Sequence, residues 1–222
     1  MCDEVELELK RIWKLVTLAR YEAAYQRAKK LYQKHPKNYR VLYRYAVCLG
    51  DRTGENRSKE ARKNHQSAVK ILKKLTYRIR AFEPSRRAAV LNEYYWFSHQ
   101  PRKQYRLGLK ETRNKNQNSF YSMGVGAWGM VELYARRNKL KLAIRWAQKS
   151  SDAWESYFKY QSRYYNAWVW YARAQGFLFG KAEMEKALKV AQRLSHRPKS
   201  YVEFREARRE VLELRKLVNA TS

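Results

Sequence analysis

Cysteine, histidine, proline and glycine are all scarce in this chain, and each shortage removes a class of protein. Two cysteines, Cys2 and Cys48, give neither a disulfide framework nor a spaced pair of metal ligands, so a reducing, cytoplasmic setting is expected. The four histidines, His35, His65, His99 and His196, fall in four separate segments with no second ligand type at helical spacing. That points away from a metal centre and from a catalytic triad. Four prolines (Pro36, Pro84, Pro101, Pro198) and eight glycines punctuate segments whose apolar residues recur every three or four positions. The alternation of a half-buried strand is absent, and an all-α chain is the expectation. No uncharged run exceeds the sixteen residues Asn116–Val131, short of the ~20 apolar residues that span a bilayer, so no membrane partner is expected. The acidic start, Asp3, Glu4, Glu6 and Glu8, fits neither a secretory signal nor a transit peptide.

Acidic residues are scarce overall. Forty-nine Lys and Arg stand against twenty Asp and Glu, a formal charge of +29 on 222 residues. Such a charge repels itself in the compact state, and a polyanionic partner is the simplest reason to keep it. The excess is spread along the chain and is densest over residues 51–118, so the folded body itself is expected to be basic. A hydrophobic share of 45% and an aromatic share of 14% are enough to bury a core.

Helix starts are readable where an N-cap acceptor precedes a carboxylate by three: Asp3 with Glu6, Asp152 with Glu155, Ser200 with Glu203. Tyr21, Ala24, Ala28, Leu31 and Pro36 stand at intervals of three, four, three and five, and Leu42, Tyr45, Ala46 and Leu49 follow on the next helix. This spacing resembles the second helix of one tetratricopeptide repeat and the first helix of the next. Candidate central small residues recur at Ala24, Ala68, Gly108, Ala143 and Ala187, with turns longer than the family pattern and an insertion at Gly50–Lys59 expected to be an exposed loop. The resemblance implies one all-α domain over 1–222, a right-handed superhelix of five antiparallel hairpins (3–36, 38–76, 84–114, 119–160, 163–196) closed by a capping helix at 200–218. Members of that family mostly hold other proteins. Their clamp for a terminal carboxylate is not matched here, where Leu9 and Trp13 occupy the corresponding places.

Gly124, Gly126 and Gly129 spell the dinucleotide fingerprint GxGxxG, but the preceding segment is not a strand, so close helix packing along Ser122, Gly126, Gly129 and Leu133 is expected and no cofactor. Most carboxylates, Glu183, Glu185, Glu206, Glu210 and Glu213 among them, stand near Lys or Arg on helix surfaces, and no acid–base pair emerges. A non-enzyme is therefore expected. Arg102, Arg106, Lys110 and Arg113, with Lys103 and Lys115 beside them, line one side of a helix at about 6 Å intervals, suiting either a phosphate chain or a solvated face. Arg78, Arg80, Arg86 and Arg87, around Pro84, extend the cluster. In YRVLYRYAV, Tyr39 and Tyr43 share a face with Arg40 and Arg44 on the next, chemistry that suits unpaired bases and equally suits core packing.

The stretch YYNAWVWYARAQGFLFG, residues 164–180, reads as an amphipathic helix. Tyr164, Trp168, Tyr171 and Gln175 face the core, while Asn166 and Arg173 face away. Trp170, near the polar side, is the aromatic expected to stack on a ligand, along the surface made by the first helices of successive hairpins. The functional expectation is a non-catalytic adaptor whose basic surface binds nucleic acid, RNA ahead of DNA. An adaptor for an acidic protein, or a subunit of a larger complex, is the alternative that phosphate and carboxylate chemistry leave open.

Overall fold

The computed structural model describes residues 2–18, 20–51, 58–112, 117–198 and 201–219. They form eleven α-helices and one short 3-10 turn, with no strand among the described residues. Contacts gather into two compact units, Met1–Ser98 and His99–Ser222, described separately below.

In the first unit, α1 (Cys2–Thr17), α2 (Tyr21–Lys34), α3 (Tyr39–Asp51), α4 (Lys59–Tyr77) and α5 (Pro84–Phe97) each pack against the next, with a 3-10 turn at Ile79–Ala81. The small residues Ala24 and Ala28, with Leu31, are buried on α2. They lie against Leu9, Ile12 and Val16 of α1 and Val41, Cys48 and Leu49 of α3, so the backbones approach closely at the crossing. Burial pushes the Cys48 thiol up to about 12, which keeps it protonated and inert. The expected loop at Gly50–Lys59 is shorter at both ends. Gly50 and Asp51 belong to α3, and Gly50 lies against the ring of Phe97, where a side chain has no room. Ser58 caps α4 by accepting from the Ala61 N–H at 3.1 Å, a bond worth about 1 kcal/mol. Residues 52–57 lie outside the described residues.

In the second unit, α7 (Gln117–Ala135) packs against both α6 (Pro101–Glu111) and α8 (Leu140–Phe158). Helix α9 (Tyr165–Phe179) packs against α8, α10 (Lys181–Ser195) and α11 (Val202–Asn219), and α11 also reaches α7. The GxGxxG residues lie inside α7 and serve packing. A Cβ on Gly126 would stand 2.6 Å from the Tyr105 backbone nitrogen, one on Gly129 2.6 Å from Pro101, while Gly124 faces the Trp154 ring. Asp152 and Glu155 do not start a helix as expected. They lie within α8, which continues because Ala143, Ala147, Ser150, Ala153, Trp154 and Tyr157 keep a buried stripe at helical spacing. Ser200 lies outside the described residues, and the last helix begins at Val202.

Helix α9 departs most from expectation. It is buried on most of its surface: Ala167, Val169, Ala172, Arg173, Ala174, Gln175 and Phe177 are buried, Trp168, Trp170 and Tyr171 are partly so, and Phe179 is exposed at its end. The pole expected to face solvent is covered by α11, and Arg173 is only 7% exposed. The rings of the stretch join its neighbours together: Trp168 stacks on Phe158 at 4.0 Å and donates its indole N–H to the Ser162 carbonyl at 2.7 Å. Tyr121 meets Trp154 edge to face at 5.2 Å.

Candidate nucleic-acid interface

In the first unit, most candidate cations are engaged within the fold. Arg40 grips Glu6 with both guanidinium prongs, Nη2 to Oε2 at 2.6 Å, and Arg86 lies 3.9 Å from the same carboxylate and 3.6 Å from Glu83. Helices α1, α3 and α5 thus converge on one acid. Arg44 lies over the Trp13 ring at 4.6 Å. Glu93 nearby is pushed up to about 7 by burial, against the lowering pull of Arg44. Arg78 donates to the Tyr39 hydroxyl at 2.6 Å. Arg87 donates to the carbonyls of Phe82 at 3.1 Å and Arg80 at 3.4 Å, closing the turn before α5. Arg80 is exposed. Tyr39 and Tyr43 pack on Phe82, so the tyrosines of YRVLYRYAV contribute to the core.

The second unit differs. Arg102, Arg106 and Lys110 are exposed along one side of α6, opposite its buried residues Gln104 and Gly108. None of the three has an acidic partner among the described residues. Lys103 is exposed beside them, and Arg113 and Lys115 lie outside the described residues. Two further rows repeat the pattern: Lys141, Arg145 and Lys149 on α8, and Lys186, Lys189 and Arg193 on α10, all exposed. Of these nine cations, Lys186 alone forms an ion pair among the described residues, with Glu183 at 2.5 Å. Between α6 and α8, Tyr105 contacts Trp146 edge to face at 4.9 Å, and the Lys149 ammonium lies 4.5 Å from the Trp146 ring. The first helices α7 and α9 carry no exposed cation among the described residues, and the exposed rows lie on α6, α8 and α10.

Trp170 is half-buried, and one face of its ring carries the Arg173 guanidinium at 4.4 Å. Arg173 donates to Glu210 at 2.8 Å, and Trp128 donates its indole N–H to the other Glu210 oxygen at 2.7 Å. Glu210, read from sequence as a surface acid, is therefore the centre of a network joining α7, α9 and α11. Burial, the hydrogen bond with Glu210 and its negative charge hold Glu132 well above the usual carboxylate range. Burial also raises Glu210, but Arg173 and hydrogen bonds from Glu132, Arg173 and Trp128 outweigh it and hold Glu210 low.

These shifts carry opposite signs in stability. Above the unfolded carboxylate pKa of about 4.3, native Glu132 retains a proton that the unfolded chain has lost, so its contribution declines as pH rises towards its raised pKa. The Glu210 contribution is present above the same value and is lost as pH falls through its lowered pKa. Glu132→Gln, which keeps a neutral donor, is expected to flatten the decline in stability above neutral pH, a slope of at most ~1.4 kcal/mol per pH unit for one proton. Urea unfolding followed from neutral to alkaline pH checks this, and identical slopes in both proteins would refute the shared proton.

Among the described residues no three His, Cys, Asp or Glu side chains converge as a metal site, and no helix is long and apolar enough to cross a membrane. No protein-family model matches the chain, and a search of curated proteins finds no match.

Proposed function

We propose that the chain is a non-catalytic helical-repeat adaptor, similar in architecture to a tetratricopeptide-like superhelix, whose basic surface binds RNA in preference to DNA. The row Arg102, Arg106 and Lys110 carries this reading: three exposed cations at helical spacing, without acidic partners among the described residues. Like charges four apart weaken an isolated helix by a few tenths of a kcal/mol each. Packing of α6 on the glycine-bearing face of α7 offsets this, so the row is preformed before any ligand arrives. Each phosphate it neutralises releases condensed counterions, a gain that grows as salt falls. Lys149 and the Tyr105–Trp146 contact beside the row add a cation and aromatic surface of the kind that single strands use.

The triple variant Arg102→Glu, Arg106→Glu, Lys110→Glu is expected to weaken binding of unstructured oligouridine by about two orders of magnitude, with the wild-type affinity falling steeply as salt is raised. Fluorescence anisotropy measures both. Unchanged affinity in the variant would overturn the assignment. Binding of polyglutamate in place of RNA would reassign the row to an acidic protein.

A further inference from the structure

Helix α10 ends in a feature that neither the α6 row nor the sequence reading accounts for. An open cleft of about 940 Å³ is bounded by Lys186, Lys189, Arg193, His196 and Arg197, with no carboxylate lining it among the described residues. Lys186, Lys189 and Arg193 share one face of α10 at intervals of three and four. The chain then turns at His196, whose φ of +54° lies in the left-handed region, where a side chain other than glycine is uncommon. That turn brings Arg197 alongside the helix face as a second wall.

The second wall is built. The Arg197 backbone N–H donates to the Ser195 hydroxyl oxygen at 3.3 Å, and its guanidinium lies over the Tyr201 ring at 5.2 Å. Tyr201 in turn meets Phe204 edge to face at 5.5 Å, and Phe204 is buried in the core. The arginine is therefore oriented through a chain of contacts that ends in the interior of the unit, which lowers the ordering cost when it meets a ligand. Cations at a helix C-terminus are favourable by themselves, because the macrodipole places about half a negative charge there. With Lys186 paired to Glu183, the charges of Lys189, Arg193 and Arg197 still exceed that half charge several-fold, so the cleft stays positive. An isolated surface charge gains little from a neighbouring acid, but cations gathered in a concave site strengthen the local field for a multivalent anion.

We infer that this cleft is a second RNA-binding site of the protein, taking adjacent phosphates of a single strand between the α10 face and Arg197. The inference rests on the reading of the chain as an RNA binder, and it assigns the contact to residues other than the α6 row. Guanidinium and ammonium groups on two walls suit a bent phosphate chain, whose oxygens point in several directions, with Arg193 and Arg197 offering paired donors.

The test compares three proteins on the same oligouridine: the wild type, the α6 variant above, and Lys189→Ala, Arg193→Ala, Arg197→Ala. Alanine favours helix at the two α10 positions, and far-UV circular dichroism confirms that the fold is kept. The cleft variant is expected to bind about tenfold more weakly near physiological salt, with the slope of log K against log salt reduced by about 2, from three lost phosphate contacts on a single strand. In the wild type, bound oligouridine is expected to protect Lys186 and Lys189 from acetylation, a readout that needs no variant. Unchanged affinity and slope in the cleft variant, with Lys189 unprotected, would overturn the second site while leaving the α6 assignment standing. A wild type that binds no RNA overturns both. A cleft variant that loses polyglutamate but retains RNA assigns the cleft to an acidic protein and overturns the proposal.

Discussion

Glu210→Ala is expected to destabilise the second unit by about 3–5 kcal/mol, because it leaves a buried charge and a buried donor without their acceptor. The Arg173 side chain is 8% exposed and cannot turn to water without opening the contact between α9 and α11. The Trp128 indole N–H, whose residue is 1% exposed, loses its acceptor at the same time, at a further cost of about 1–3 kcal/mol if nothing rearranges. Loss of Coulomb attraction alone would be far smaller, so the size of the effect reports burial. Glu210→Gln, which retains an acceptor for Trp128 but not the charge, should fall between the wild type and Glu210→Ala. Replacing the pair together, Arg173→Met with Glu210→Leu, should recover the part of the loss due to the stranded Arg173 charge, while the Trp128 indole N–H and Glu132 stay without their partner. Urea denaturation of the four proteins decides the matter. A cost below about 1 kcal/mol for Glu210→Ala would mean that Arg173 finds water, and that α11 is less firmly seated than its contacts indicate.

Gly126→Val is expected to cost about 3 kcal/mol or to prevent the second unit from folding, since overpacking a tight contact costs about 1–3 kcal/mol and a rigid neighbour raises that figure. A side chain here would run into the backbone of α6, 2.6 Å from the Tyr105 nitrogen and 2.9 Å from the Pro101 carbonyl oxygen. Backbone cannot swing aside as a flexible side chain can, so α6 as a whole must move. The milder Gly126→Ala separates two opposed effects. In an open helix this change stabilises by about 1 kcal/mol, whereas in a crossing this close it destabilises. A rise in the melting temperature of Gly126→Ala would show that α6 and α7 are not in contact at this position.

The order and extent of the helices were legible because small residues and prolines recur with helical spacing. The segments expected at 3–36, 38–76, 84–114, 119–160 and 163–196 each overlap two helices of the structure, those of 84–114 falling in different compact units. What failed was information that no local pattern carries. Asp152 and Glu155 match a capping box, yet the buried stripe of α8 runs straight through them. Arg173 was assigned to solvent because it is the one charge in an aromatic stretch, and its partner Glu210 lies thirty-seven residues away on another helix. The Glu132–Glu210 pairing is separated still further along the chain. The α8 row, by contrast, was present in the sequence at intervals of four, as regular as Arg102, Arg106 and Lys110.

Every residue of α7 between Ser119 and Ala135 and of α9 between Tyr165 and Leu178 is buried or half-buried, whereas rows of exposed cations run along α6, α8 and α10. The most enclosed helices of this unit and the helices that carry its rows of exposed charge are therefore different elements. The charge on those outer rows can therefore be altered by substitution without repacking the interior that keeps the unit in shape.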